Sequence, residues 1–390
     1  MPSDDFCGWQ GYKAKTMPFE PAQGAPGEAR APDRTAASRA ATPALPRFEP
    51  ALRVGSAPRA ARRAYAAIDL GTNNCRLLIA RPGYGADAGG NFMVIDAFSR
   101  VVRLGEGLMQ TGALSAAAMD RAVAALRICG DKLQRREVWL TRNVATEACR
   151  RASNGAEFVE RVFAETGIAL DVISPGEEAR LAVLGCQSLI DSAGPPALVF
   201  DIGGGSTELI LVTRGPHGEA EIRGWTSVPW GVVSLTETEP LDPGPVARLA
   251  AYARMRARVH DYLGDFIANV ARVAPGPLQL LGTSGTITTL ASVDMGLAGY
   301  DRRLVDGCSV TTAAMRAISA DLAAKSPGER AEQPCIGHDR ADLVVAGCAI
   351  LEAILDAWPA ETIRVADRGI REGILRTLIV RDGGRDWGRA

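Results

Sequence analysis

Two aspartates close apolar runs, and each is followed two positions later by glycine: Asp69 in "AIDLGTNNCRLLIAR" and Asp201 in "VFDIGGGSTELILVT". Glycine in a tight turn lets backbone N–H groups approach an anion, because no Cβ stands in the way. Gly203, Gly204 and Gly205 offer this on one side, with the hydroxyls of Ser206 and Thr207 as further donors. Thr72, Asn73 and Asn74 are the counterparts on the other side. A carboxylate beside phosphate oxygens is repelled unless a cation lies between, and Mg²⁺ with carboxylate, phosphate and water ligands is the natural bridge. Asp201 is the first candidate ligand, with Asp69 and Glu208 as candidates through water. The competing reading is a pair of ordinary hairpin turns, each with a turn Asp.

Two further stretches bear on the same chemistry. "LQLLGTSGTITTLA" runs from an apolar strand through "GTSGT" into a helix expected to begin near Ile287. A helix N-terminus with glycine and hydroxyl residues favours an anion, and Gly285 and Thr286 are the residues expected there. In "VISPGEEARLAVLGC", Ser174 and Glu177 form an S-x-x-E capping box with Pro175 at the first helical position. Glu177 therefore has a structural task, and Glu178 has none. Glu178 is either a solvated first-turn acid or the base that deprotonates a water attacking phosphorus.

The elements around these motifs read as α/β. "AYAAIDL" and "CRLLIAR" form a hairpin around "GTNN", and "NFMVIDAFSRVVRL" extends the strand pattern. A helix from Ser115 buries Ala118, Val123, Leu126 and Leu133 on one face. "EVWLTRN" is a strand, "AEFVERVFAETG" a helix ending at Gly167, and "IALDVIS" another strand. A shift of 132 positions, from Asp69 to Asp201, also sets Gly71 on Gly203, Arg76 on Glu208 and "LLIA" on "LILV". Such self-similarity indicates an internal duplication. Two similar halves facing each other place both Asp-x-Gly turns at one cleft, as opposing jaws.

In this order, "AIDLGTNNCRLLIA", "VRLGEGL", "ATEACRRA", "ISPGEEARL", "VFDIGGGSTEL", "LGTSGTI" and "RGIREGIL" resemble the exopolyphosphatase / guanosine pentaphosphate phosphatase family, over about Ala64 to Ile379. The resemblance implies two actin-like (ribonuclease H-like) α/β domains with an interdomain active-site cleft. Their spans are 64–190 and 191–381, between a disordered tail 1–63 and a tail 382–390. It also implies Mg²⁺-dependent removal of terminal phosphate from polyphosphate or guanosine pentaphosphate. By position, the family's catalytic glutamate falls on Glu178 and the arginine of its T-x-x-x-R turn on Arg150. Its metal and phosphate residues fall on Asp201, Gly203 to Ser206 and Glu208. Asn74 stands where a small hydroxyl residue is usual, and the N-terminal tail is outside the family pattern. The sequence ends soon after "REGILRTLIV", so the helical C-terminal domain of longer members is expected to be absent, and with it processive handling of long chains.

Composition bounds the alternatives. A net charge of −1 provides no global field for nucleic acid or membrane. Eight cysteines without C-x-x-C spacing and only three histidines argue against zinc and for buried, reduced thiols. No run approaches the ~18 apolar residues of a membrane span, so a cytoplasmic protein is expected, with a homodimer as an open option. The arginine-rich tail is read as solvated or as a polyanion anchor. His338 reads as a loop residue, Asp342 fits the first turn of the helix that follows, and Arg340, Arg368 and Arg371 are either salt-bridge residues or an extended cationic track. Besides the polyphosphate hydrolase, a kinase-like or chaperone-like ATPase and a non-catalytic polyphosphate sensor remain as other classes. The sensor would be expected to lack Glu178 or Asp201.

Overall fold

The computed structural model describes residues 63–83, 92–215, 219–239 and 244–383. Of the expected terminal tails, everything but Arg63 and residues 382–383 lies outside this range. The first sheet contains β1 (Ala64–Leu70), β2 (Asn74–Pro82), β3 (Phe92–Val101), β4 (Val138–Ala145) and β5 (Asp171–Val172), in the order β3-β2-β1-β4-β5. The second contains β6 (Ala197–Ile202), β7 (Thr207–Arg214), β8 (Ala220–Val228), β9 (Gln279–Thr283), β10 (Ser309–Thr311) and β11 (Thr362–Ala366), in the order β10-β11-β9-β6-β7-β8. In each, a three-stranded antiparallel meander leads with its first strand into parallel partners, β4 beside β1 and β9 beside β6. The duplication inferred from the sequence is thus a duplication of topology. Asp69 faces Arg76 across its ladder, and Asp201 faces Glu208 at the equivalent position.

Strand β1 is apolar throughout because both faces of its sheet are covered, and only Asp69 at its end is partly open. The helix Ala116–Arg135 starts at Ser115, whose Oγ accepts from Ala118 N, and it buries the four residues expected. The helix Gly155–Thr166 stops at Gly167, which takes the left-handed conformation at φ 69°. "IALDVIS" yields only the two residues of β5, since the chain turns into the next helix cap at Ser174.

Two helices tie the halves together. Helix Pro175–Cys186 follows the first sheet in the chain, yet Ala179, Val183 and Cys186 pack with Val199, Ile210 and Val212 of the second. Helix Ile370–Gly383 follows the second sheet, yet Ile374, Leu375 and Leu378 pack with Tyr65, Ala67 and Leu78 of the first. By chain position the sheets fall within 64–190 and 191–381; by packing, each span's last helix covers the other's sheet. The two helices cross through glycines: a Cβ at Gly185 would collide with the Gly369 carbonyl, and one at Gly373 with the Leu181 carbonyl. Gly373→Ala is therefore expected to cost about 1–3 kcal/mol by overpacking. An unchanged urea midpoint would show that the crossing has slack.

Candidate active site

The two Asp-x-Gly turns are built alike and meet face to face. Gly71 N donates to Asn74 O at 2.9 Å in one, and Gly203 N to Ser206 O at 2.9 Å in the other. Gly204 is pressed against the opposing turn, where a Cβ would lie 2.9 Å from Thr72 Cβ and 3.0 Å from Asn73 N. Between them opens a cavity of about 130 Å³. Every residue expected at phosphate or metal lines it except Thr207. Successive side chains of a strand point to opposite faces. Ser206 and Glu208 therefore face the cleft, while Thr207 is buried behind it and donates to Trp230 O at 2.8 Å. The role expected for the Thr207 hydroxyl is corrected accordingly.

Glu178 sits in the cavity wall, at the start of helix Pro175–Cys186. Burial, then the charges of Glu208, Asp201 and Asp69, push its carboxyl well above the usual range, against the pull of Arg150. Arg150 does not line the cavity. Its guanidinium donates to Glu147 Oε2 at 2.6 Å, to Ile173 O at 2.6 Å and to Glu178 Oε2 at 3.3 Å. The arginine that the family resemblance pointed to thus supports Glu178 from behind and does not itself meet the cleft.

Glu177 departs from the capping box. Ser174 Oγ accepts from Glu177 N at 3.2 Å. The Glu177 carboxylate, however, accepts from Arg142 Nη1 and Arg180 Nε, both at 2.7 Å. Charge-assisted donors outcompete a backbone N–H for a carboxylate. The helix expected near Ile287 begins at Gly285, and no side chain caps it. Its N-terminus points into the cavity with Gly285 and Thr286.

The profile of the Ppx/GppA phosphatase family matches residues 84–381. The chain belongs to this family. It is 31% identical over 324 residues to Exopolyphosphatase 2 of Mycobacterium tuberculosis, which covers 80% of this chain and 98% of that protein. The crystal structure of an exopolyphosphatase from Cytophaga hutchinsonii superposes with a TM-score of 0.73 at 26% identity, over 84% of this chain and all of that one. An Aquifex aeolicus Ppx/GppA family member gives 0.64 at 29% identity, over 82% and 98%. The actin-like α/β fold and the class of phosphoanhydride hydrolase follow from these matches. The Asp69 turn precedes the span matched by the profile, so its place in the site rests on the structure.

Among the described residues two cations line the Ppx/GppA cleft: Arg76, to which sequence reasoning gave no role, and Arg340, which it left between a salt bridge and a cationic track. Arg76 occupies the ladder position that Glu208 holds in the other half, and it draws down the pKa of both Asp69 and Asp201. Among the described residues it has no side-chain hydrogen bond or ion pair within 4.0 Å, which leaves it available to an anion. The duplication had already marked this position. Arg340 also lines the cavity, held by a bond from Nη1 to Thr289 Oγ1 at 2.8 Å. Arg368 pairs with Asp306 at 2.7 Å instead, and His338 is an exposed turn residue. Asp342 stands ahead of its helix, Val344–Ala357, and pairs with Arg103.

The donor set suits Mg²⁺. Burial pushes Asp201 up to about 6, with Asp69 adding to the shift. Glu208 is pushed up to about 7 by burial and Asp201, although Ser206 Oγ and Ser227 Oγ donate to it at 2.7 and 2.9 Å. Asn73 Oδ1 and Ser284 Oγ are buried without a hydrogen-bond partner. Ser284 is also held at φ 97°, a conformation strained for any residue but glycine. Among the described residues no three His, Cys, Asp or Glu side chains converge enough to hold a metal alone. Asp201, Asp69 and Glu208 at the cleft are oxygen donors of the kind Mg²⁺ takes, one or two carboxylates being completed by water and substrate phosphate.

The carboxylates also set a pH dependence. Their folded pKa values exceed the unfolded ones, so the folded state binds more protons. Metal-free protein is therefore expected to lose stability as pH rises from the ordinary carboxylate range through about 7. Mg²⁺ should raise the thermal midpoint more at pH 8 than at pH 5. Equal shifts at both values would place the cation away from these acids.

Proposed function

We propose that this family member is an exopolyphosphatase acting in the cytoplasm, which removes the terminal phosphate of inorganic polyphosphate with Mg²⁺. The observation that carries this reading is the convergence of two glycine turns, Arg76 and Arg340 around the buried acid Glu178. No aromatic ring lines the cleft among the described residues, so a nucleobase would meet no aromatic stacking platform there.

Backbone N–H groups of Gly204 and Gly205 and of the Thr72–Asn73 turn bind the terminal phosphoryl group, with Arg76 and Arg340 offsetting its charge. Asp201 would hold Mg²⁺, with Asp69 and Glu208 through water; when bound, the ion neutralises charge on the transferring phosphate. Glu178 orients a water and takes its proton as the oxygen attacks phosphorus in line with the departing chain. A raised pKa suits that task, because it strengthens the base. Arg150 fixes Oε2 and leaves Oε1 to the water.

Phosphate release compared on polyphosphate, guanosine pentaphosphate and ATP tests the reading. Polyphosphate is expected to give the highest kcat/KM. Preference for guanosine pentaphosphate would shift the assignment to the family's nucleotide substrate. Turnover of ATP alone would point to a kinase-like or chaperone-like relative.

A further inference from the structure

The segment Val102 to Gly107 touches both jaws. Towards the first half, Val102 N and Arg103 N donate to Asn73 O at 2.9 and 3.0 Å, and Gly105 N to Thr72 O at 2.9 Å. A Cβ at Gly105 would collide with the Thr72 methyl, so the segment lies flat on the phosphate turn. Towards the second half, Arg103 Nη1 pairs with Asp342 Oδ2 at 3.1 Å, and Nη2 reaches Asp339 O at 3.5 Å. Gly107 N donates to Glu237 Oε1 at 2.7 Å. Asp339 and Asp342 flank Arg340, the cation that lines the cleft.

Arg103 carries a further mark. Its φ is +46°, a left-handed conformation that glycine or asparagine adopts more readily. Strain of this kind persists only where the surroundings over-determine it. The surroundings are the two bonds to Asn73 O below and the Asp339–Asp342 turn above. Arg121 grips the same segment from the side, donating to Val102 O at 2.9 Å and Arg103 O at 3.2 Å.

We infer that Arg103 is a positioning residue: a latch that holds the turn bearing Arg340 against the Thr72–Asn73 phosphate turn and so keeps the cleft closed on its polyanionic substrate. The inference rests on the phosphoanhydride-hydrolase reading for its kinetic consequence, but not for its structural one. Loosening the latch lowers the closed fraction, and apparent affinity falls by that fraction. Substrate already bound restores closure, so the loss appears in KM while kcat is kept.

The test is charge reversal and swap. Arg103→Glu sets a carboxylate opposite Asp342 and is expected to raise KM for polyphosphate about fivefold, the scale of a partly exposed ion pair. Its kcat should stay within about twofold, and its radius of gyration by solution scattering should increase. The double variant Arg103→Glu/Asp342→Arg keeps the wild-type net charge and should restore both KM and compactness. If Arg103 instead touched substrate directly, the swap would leave KM high, and the latch would be overturned. An Arg103→Glu protein with unchanged KM and scattering would overturn it equally. Should the wild type release phosphate from no phosphoanhydride, the functional reading falls, and the scattering comparison alone still decides the latch.

Discussion

Glu178→Gln is expected to lower turnover by roughly 10²–10⁴-fold, with KM for polyphosphate little altered. Gln keeps the size and most of the hydrogen bonding but has no basic oxygen. Stability should move the other way. The carboxyl of Glu178 is held well above its usual range by burial and by Glu208, so its ionised form opposes folding at neutral pH. The amide removes that opposition, and the thermal midpoint should rise at pH 8 but hardly change at pH 4. A residue that costs stability while raising rate is the signature of a site group. Glu177→Gln is the neighbouring contrast. It weakens the pair with Arg142, whose side chain is 7% exposed, and should cost about 1–2 kcal/mol of stability with turnover near normal. Activity retained in Glu178→Gln and lost in Glu177→Gln would move the base by one position. Activity retained in both would end the mechanism given above.

Asp201→Asn should abolish Mg²⁺-dependent turnover, because a neutral amide cannot offset a divalent charge. It should also remove the extra stabilisation that Mg²⁺ gives at pH 8. Without metal the variant is expected to be more stable than the wild type, since Asp201 is raised to about 6 by burial and by Asp69. Full turnover at ordinary Mg²⁺ would take Asp201 out of the metal site. Retained turnover with a higher Mg²⁺ requirement would hand the principal role to Asp69 or Glu208.

What the sequence disclosed was local. The turns at Gly71 and Gly203, the cap at Ser115 and the stop at Gly167 depend on residues within a few positions of each other, and all could be read. The shift from Asp69 to Asp201 disclosed the duplicated topology as well, because both ladders repeat one register. Strand alternation would also have excluded Thr207, since it sits between Ser206 and Glu208, which face the cleft. The partners of Glu177 could not be read. Arg142 lies on β4, far along the chain, and only the folded sheet brings it within 2.7 Å. The choice between the two readings of Arg340 could not be made for a related reason: it sits in a turn without periodicity, and the fold alone brings it to the cleft. The return of helix Ile370–Gly383 to the first sheet was hidden too, because it is apolar on more than one side and shows no single face.

That return has a consequence for how the chain can be divided. With helix Pro175–Cys186 on the second sheet and helix Ile370–Gly383 on the first, the connectivity is that of a domain-swapped dimer fused into one polypeptide. Two fragments separated between Ile190 and Ala197 would each carry the other's cover and lack their own. Alone, each would expose an apolar sheet face, and neither would own a complete cleft. Mixed, they would have to fold by binding, so the midpoint of unfolding would depend on fragment concentration. In the intact chain, the peptide linkage between the halves makes that association intramolecular.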